Sequence, residues 1–408
     1  MMARRIDIVR TTLAIVMVIC LLFSGSGASA ARLDVTPSIS LDQVYDSNVF
    51  NTDGNEKEDF IFRATPALTF SLRMPETTLN LRTSITSDAY YKYTELNSTN
   101  SSISLAIDAT PIRMTPRFSM VPSAHYLEAR DSYRRIQLMP SGDPLIQPSI
   151  ASESATQKSR DYGAALRMSY LVTPKTDFSL GGGFSKLQFL DNTTGGEVGS
   201  RVSTGDTALM YLFTPRFSSG LFFTATSNTF ENGQDSRTVA GGPTVSYRYS
   251  PSLTMTARAG ASRAQESGVP GVADRTSWSP YGLFTLAHID NTFQASLTGS
   301  VGQSGGGALG FTTRRESVTL SLSDQIASRW WADLSGSYEQ NRSLDAAVSG
   351  DLTSATGTAG IRHQVREWAD VRFSGTAFRQ WSNGAIGTDL NRYSAFLGIT
   401  VGKTYNIY

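Results

Sequence analysis

Few side chains in this sequence are able to do covalent chemistry. Histidine occurs three times, at His125, His288 and His363, and cysteine once, at Cys20. No histidine has a serine two residues further on, and none stands in a recognisable Ser/His/Asp setting, so activation of a hydroxyl nucleophile has no support and no enzyme is expected. The histidine spacing matches no metal-ligand pattern, so no metal and no cofactor are expected. Gly181-Gly182-Gly183 and Gly305-Gly306-Gly307 lack the Lys-Ser/Thr that completes a phosphate loop. With a net charge of +1 and no basic-aromatic segment, nucleic acid is not an expected partner.

What remains is chemistry by lining rather than by reaction. Arg63, Arg82, Arg167, Arg248, Arg258 and Arg372 alternate with apolar neighbours, as do Asp88, Asp108 and Asp333. Tyr90, Phe222 and Phe396 share their polar face and are placed to stack on flat solutes such as sugar rings. A packed core would not accept such charges unpaired, whereas a watery lumen would, and the basic balance would concentrate anions there. Pairing across neighbouring strands is the competing role for the same charges.

The element that must carry these residues has a period of two. Phe60, Phe62, Leu68, Phe70 and Leu72 fall on even positions between Arg63, Thr69, Ser71 and Arg73; in a second strand expected from Thr78 to Tyr93, Leu79, Leu81, Ile85 and Ala89 fall on odd ones between Asn80, Arg82, Thr86 and Asp88. Short turns such as Met74-Pro75-Glu76-Thr77 and 111–116 alternate with longer polar connections, for example 94–101, 127–160, 228–237 and 382–391. The hairpin unit recurs at roughly 40-residue intervals, long enough for two membrane strands with a turn and a loop. The expected fold is all-β: a single transmembrane antiparallel up-and-down barrel of about 18 strands over 31–408, with short turns on the periplasmic side and long loops outward. Aromatic residues near strand ends, including Tyr91, Tyr93, Trp278, Trp331, Trp368 and Tyr393, read as interfacial girdles.

Residues 1–30 read as a cleaved secretory signal: Arg4, Arg5 and Arg10, an apolar run from Leu13 to Phe23, then Ala28-Ser29-Ala30. Cys20 lies inside that run, so disulfides and thiolate sites are excluded from the mature chain. The expected location is therefore the bacterial outer membrane, among its lipids.

Two further segments carry specific expectations. Loop 127–160, with Arg130, Tyr133, Arg134 and Arg135, is the third outward connection, from which a constriction can fold into a channel; its Pro140, Pro144 and Pro148 equally suit a surface loop. At the other end, Gly402, Tyr405 and Ile407 resemble the strand signal read by the barrel-assembly machinery, which is thereby an expected partner.

Near the start, Val35-Thr36-Pro37-Ser38-Ile39-Ser40-Leu41 leads into Tyr45-Asp46-Ser47-Asn48-Val49-Phe50. A strand running into Tyr-Asp-Ser-Asn resembles the opening of the β-barrel porin type 2 family, sharply over residues 33–50 and architecturally beyond. That resemblance implies an outer-membrane channel for exopolysaccharide or another surface glycan, working with polysaccharide and a periplasmic secretion component. Export of that kind is the leading expectation; the alternatives are a general or anion-preferring diffusion porin and a structural or adhesive barrel with a plugged lumen. Asp46, Ser47 and Asn48 also suit a plain strand-end turn, because such side chains bond their own backbone.

Overall fold

A computed structural model describes residues 31–130, 158–190, 198–267, 274–304, 311–344, 350–384 and 388–407. Residues 1–30, expected to be a signal, lie outside the described residues. Twenty strand segments form one sheet, and two short ones, Ile112–Thr115 and Tyr405–Asn406, merely continue their neighbours, leaving eighteen barrel strands among the described residues. In chain order these are β1 (Arg32–Asp46), β2 (Asp59–Met74), β3 (Thr77–Tyr90), β4 (Ser98–Ala109), β5 (Phe118–Ala129) and β6 (Ser159–Thr173). Next come β7 (Thr176–Phe189), β8 (Ser200–Thr214), β9 (Phe217–Phe230), β10 (Asp235–Arg248), β11 (Leu253–Ser267) and β12 (Arg275–Ile289). The last six are β13 (Phe293–Ser304), β14 (Thr313–Ala327), β15 (Trp330–Ser343), β16 (Gly350–Arg366), β17 (Ala369–Gly384) and β18 (Leu390–Gly402).

Each strand pairs antiparallel with the next, and β18 returns to β1, in register from Ser38 opposite Gly402 to Asp46 opposite Ser394. The sheet therefore has no free edge, which removes the unpaired backbone that hydrocarbon could not solvate. No helix of the described residues is long and apolar enough to cross a membrane.

The register keeps one parity outward around the whole barrel. Tyr45 opposes Phe60, Phe62 opposes Ala89, Leu297 opposes Leu320, and Phe373 opposes Leu397. These outward side chains stay bare: Phe60 is 49% exposed, Leu221 66% and Leu397 55%. An apolar belt of this extent far exceeds the patches that water-facing surfaces tolerate, and it is the surface a bilayer covers. On the turn side the belt ends in aromatic contacts, Tyr211 with Phe213 at 4.9 Å and Phe213 with Phe217 at 5.8 Å, as an interfacial girdle requires.

Three boundaries differ from the sequence expectation. The strand expected to reach Tyr93 stops at Tyr90, because the Asp59 carboxylate accepts the Lys92 and Tyr93 backbone N–H groups and draws the chain off the sheet. The long loop expected at 228–237 is a four-residue turn, made possible by Gly233 at φ +89°. The turn expected around 111–116 is mostly strand, since Ile112 and Arg113 pair with Met120 and Ser119.

Candidate functional site

Because side chains alternate, the polar rows face the barrel interior. Arg63 (β2), Arg82, Asp88 and Tyr90 (β3), Asp108 (β4) and Arg167 (β6) stand on that face. So do Phe222 (β9), Arg248 (β10), Arg258 (β11), Asp333 (β15), Arg372 (β17) and Phe396 (β18). Their environments fall into two groups.

The first group pairs across strands at the seam where the chain closes. Asp42 lies opposite Arg63 on one side and Gly398 on the other, and Gly398 lies opposite Arg372. Arg63 Nε bonds Asp88 at 2.9 Å, and Arg372 Nη2 reaches Asp42 at 3.4 Å across the glycine. A β-carbon at Gly398 would collide with the Asp42 carboxylate, so the missing side chain is what lets Arg372 and Asp42 meet. Arg372 also lies over the Phe396 ring, 4.8 Å from its centroid. Away from the seam, Asp108 accepts from Asn80 at 2.9 Å and Asp333 from Ser323 at 2.7 Å.

The second group is unpaired. Arg82, Arg167 and Arg248 are exposed to the interior and form no ion pair among the described residues. Arg258 has no ion pair either, and its guanidinium lies 5.5 Å from the Phe222 ring. Phe222 in turn touches Tyr281 at 5.2 Å, bridging the backbone of β10 and β11 where both carry glycine, Gly242 and Gly260. Five inward acids, Asp108, Asp177, Asp206, Asp333 and Asp370, likewise lack ion pairs among the described residues, so the interior carries both signs; of these acids only Asp108 and Asp333 are exposed, and each is hydrogen-bonded to a neighbour.

The interior is not uniform along its axis. Toward the turns, inward residues such as Ala165, Arg167, Ser335 and Ser337 are exposed. Toward the loops, inward residues of the same strands, Asp161 and Asn341, are buried, as are Val202, Ser262, Leu352 and Gln380 elsewhere on the ring. The lumen is thus open on the turn side and closed down on the loop side.

Part of that closure is visible at the seam. Val49 from the β1–β2 connection and Leu96 from a single 3-10 turn (Thr94–Leu96) pack against inward Val44 and Ile61, flanked by Phe50, Tyr90, Tyr93 and Phe396. Tyr93, expected in a girdle, is instead held here, 5.0 Å from Phe50 and edge-on to it. The Tyr-Asp-Ser-Asn segment fixes the connection: Asp46 accepts the Asn48 N–H, and Asn48 Nδ2 donates to Thr52 O at 2.8 Å and to Asn391 O at 3.1 Å. Asn48 and Asn51 are fully buried, Asn51 adopts φ +55°, and Arg392 donates to its side-chain oxygen. Outside the barrel mouth, Lys92 Nζ meets Glu58 at 3.0 Å. The Glu58 carboxyl is held below its usual range by the Tyr45 hydroxyl first and the Lys92 ammonium second.

Arg130, from the loop expected to constrict the channel, continues the β4–β5 pairing, its N–H bonded to Ser101 O at 3.0 Å. Tyr133, Arg134 and Arg135 lie outside the described residues. Trp331, expected at an interface, points inward beneath Arg362, 4.4 Å from the guanidinium; its neighbour Trp330 takes the outward place. His288 and His363 do lie in the turn-side girdle, against Phe293 at 5.6 Å and stacked on Trp330 at 4.1 Å. His125 is inward, bonded to Asp161 at 3.1 Å. No group of three or more metal-ligating side chains occurs among the described residues.

Gly402 pairs with Ser38, Tyr405 with Val35, and the Ile407 N–H bonds Leu33 O at 2.9 Å, so the terminal segment zips onto β1. A β-carbon at Gly402 would lie 2.7 Å from that of Ser38.

No family model matches this sequence. No curated protein matches it. Among solved structures, OccAB4 of Acinetobacter baumannii is 9% identical with a TM-score of 0.45, covering 92% of this chain and 99% of its own. The outer membrane protein OpdK of Pseudomonas aeruginosa is 12% identical with a TM-score of 0.43, over 91% of this chain and 99% of its own. A BenF-like porin from Pseudomonas fluorescens is also 12% identical at 0.43, over 92% and 99%. At such identities and scores these likenesses carry nothing beyond themselves, and the architecture rests on the strand pairing of this chain.

Proposed function

We propose that this barrel is a diffusion channel of a bacterial outer membrane with a preference for anionic solutes. The observation that carries the reading is the turn-side lumen, where Arg82, Arg167 and Arg248 are exposed and form no ion pair among the described residues, while the exposed acids Asp108 and Asp333 are each hydrogen-bonded to a neighbour. Passage needs no reactive group, only a lining whose charge raises the local concentration of one class of solute. The apolar belt supplies the membrane, the loop-side closure supplies a narrow mouth, and strand insertion by the assembly machinery would use Gly402, Tyr405 and Ile407.

Glycan export rests on the resemblance of residues 33–50 alone, and a mouth closed by Val49 and Leu96 gives it no added support. A plugged adhesive barrel would share that mouth. Planar-bilayer recording under a potassium chloride gradient separates these readings. Steady conductance with a chloride-favouring reversal potential is expected, whereas cation preference or silence contradicts the channel as proposed.

A further inference from the structure

On the outer surface, cations mark the level where strands leave the apolar belt on the loop side. Most are paired: Arg160 with Glu128 at 3.1 Å, Arg314 with Glu316 at 2.7 Å and Arg342 with Asp351 at 3.1 Å, while Arg379 lies 4.9 Å over Trp381. One sector is different. Lys186 on β7 and Arg201 on β8 are direct register partners, and neither has an acidic partner among the described residues. On β10 and β11, Arg237 opposes Gln265 and Arg263 opposes Val239, so the two arginines are diagonal neighbours, again without ion pairs among the described residues. Asp235, the acid on the same outward row, forms no ion pair with any of them, and the Glu231 carboxylate lies over Gly199 instead.

Like charges directly opposed across strands destabilise a sheet unless something outside the chain neutralises them. The level identifies what that is. The outward row of β8 runs from Arg201 to Leu209, Tyr211 and Phe213, and about 10 residues of tilted strand span roughly the 25 Å of hydrocarbon. Exposed Phe184, Val239 and Trp278 lie immediately beside the cations, which places them where the apolar belt gives way to headgroups. The two cation pairs are centred three strand spacings apart, roughly 14 Å, which suits a headgroup bearing two separated phosphates better than one bearing a single phosphodiester.

We propose that Lys186, Arg201, Arg237 and Arg263 bind the phosphates of a bisphosphorylated glycolipid of the outer leaflet. The proposal rests on the outer-membrane reading above, with the loop ends facing outward. The test reconstitutes the folded barrel in phosphatidylcholine vesicles doped with bisphosphorylated lipid A, with its dephosphorylated form, or with phosphatidylglycerol at equal charge, and measures lipid retained on extraction by native mass spectrometry. The expected result is retention of the bisphosphorylated lipid alone, falling about tenfold in the combined variant Lys186→Gln, Arg201→Gln, Arg237→Gln, Arg263→Gln and unchanged in Arg160→Gln. If the fourfold variant does not fold, Lys186→Gln with Arg201→Gln, which relieves a like-charge pair, should still lose about threefold. An inserted barrel whose variants keep the lipid, or which holds phosphatidylglycerol equally well, overturns this proposal alone. A chain that never inserts into the vesicles overturns the membrane reading as well.

Discussion

Arg392 and Asp46, 346 residues apart in sequence, form an ion pair of 2.6 Å in which both side chains are only 5% exposed. This pair fastens the loop-side end of the last strand to that of the first, at the point where the barrel closes. Both charges have been taken out of water, so each depends on the other and on the surrounding hydrogen bonds.

Arg392→Gln leaves Asp46 buried without its cation and should cost about 3–5 kcal/mol. Urea unfolding in detergent, followed by the gel shift between folded and unfolded barrel, reads the loss. Adding Asp46→Asn should recover much of it, and no recovery would mean that the pair is not the cause.

Gly398→Val fills the gap through which Arg372 reaches Asp42. Overpacking there should cost about 1–3 kcal/mol, with Gly398→Ala affected in the same direction. The fraction of chains reaching the folded form in refolding assays should fall, while Gly357→Ala, where nothing lies within 4 Å of the added carbon, should refold as before.

Leu96→Ala opens a cavity in the cluster that closes the seam-side mouth, at a local cost of about 2–5 kcal/mol. Loop motion there should increase, visible as larger current fluctuation in single-channel records. A quiet trace identical to the wild type would separate this cluster from the mouth.

Glu58 offers a test of the outer loops. Tyr45→Phe removes the hydroxyl that chiefly lowers the Glu58 carboxyl, so the carboxyl should rise toward its ordinary value, as followed by NMR titration. Because the folded value is depressed, the stabilisation is present above the ordinary carboxylate range and is lost as pH falls through the lowered value. Lys92 and Glu58 are both solvent-exposed, so salt should weaken the part of the effect that Lys92 supplies.

Arg82→Glu with Arg167→Glu reverses charge on the open half of the lumen. The anion-to-cation permeability ratio should fall by about threefold or more, read as a shift in reversal potential. The same reversal at Arg63, already bonded to Asp88, should move selectivity less and stability more.

Much of the fold was legible in the sequence because two solvents impose one face each. From Thr78 to Ala89, hydrocarbon selects Leu79, Leu81 and Ile85 while water selects Asn80, Arg82 and Asp88, and that alternation needs no partner strand to be read. Which charges stay free was not legible. Arg372 finds Asp42 only because the chain closes and Gly398 intervenes, a relation between positions 330 residues apart that no local pattern carries. The end of β3 was hidden for a similar reason, since Asp59 captures amides 33 and 34 residues away. Trp331 shares the inward parity of Asp333, so alternation placed it correctly, and its residue type near a strand end was the misleading signal.

The most direct test is a cysteine scan of β14 and β15, feasible because the sequence has one cysteine, Cys20, in the segment expected to be cleaved. In lipid vesicles, single cysteines at Val318, Leu320 and Leu334 should be quenched by lipid-borne probes and resist a charged aqueous thiol reagent. Those at Thr319, Ser321 and Ser335 should react with that reagent and escape the lipid quencher. Equal labelling of both sets, or the opposite assignment, would contradict a barrel that is apolar outside and water-filled within.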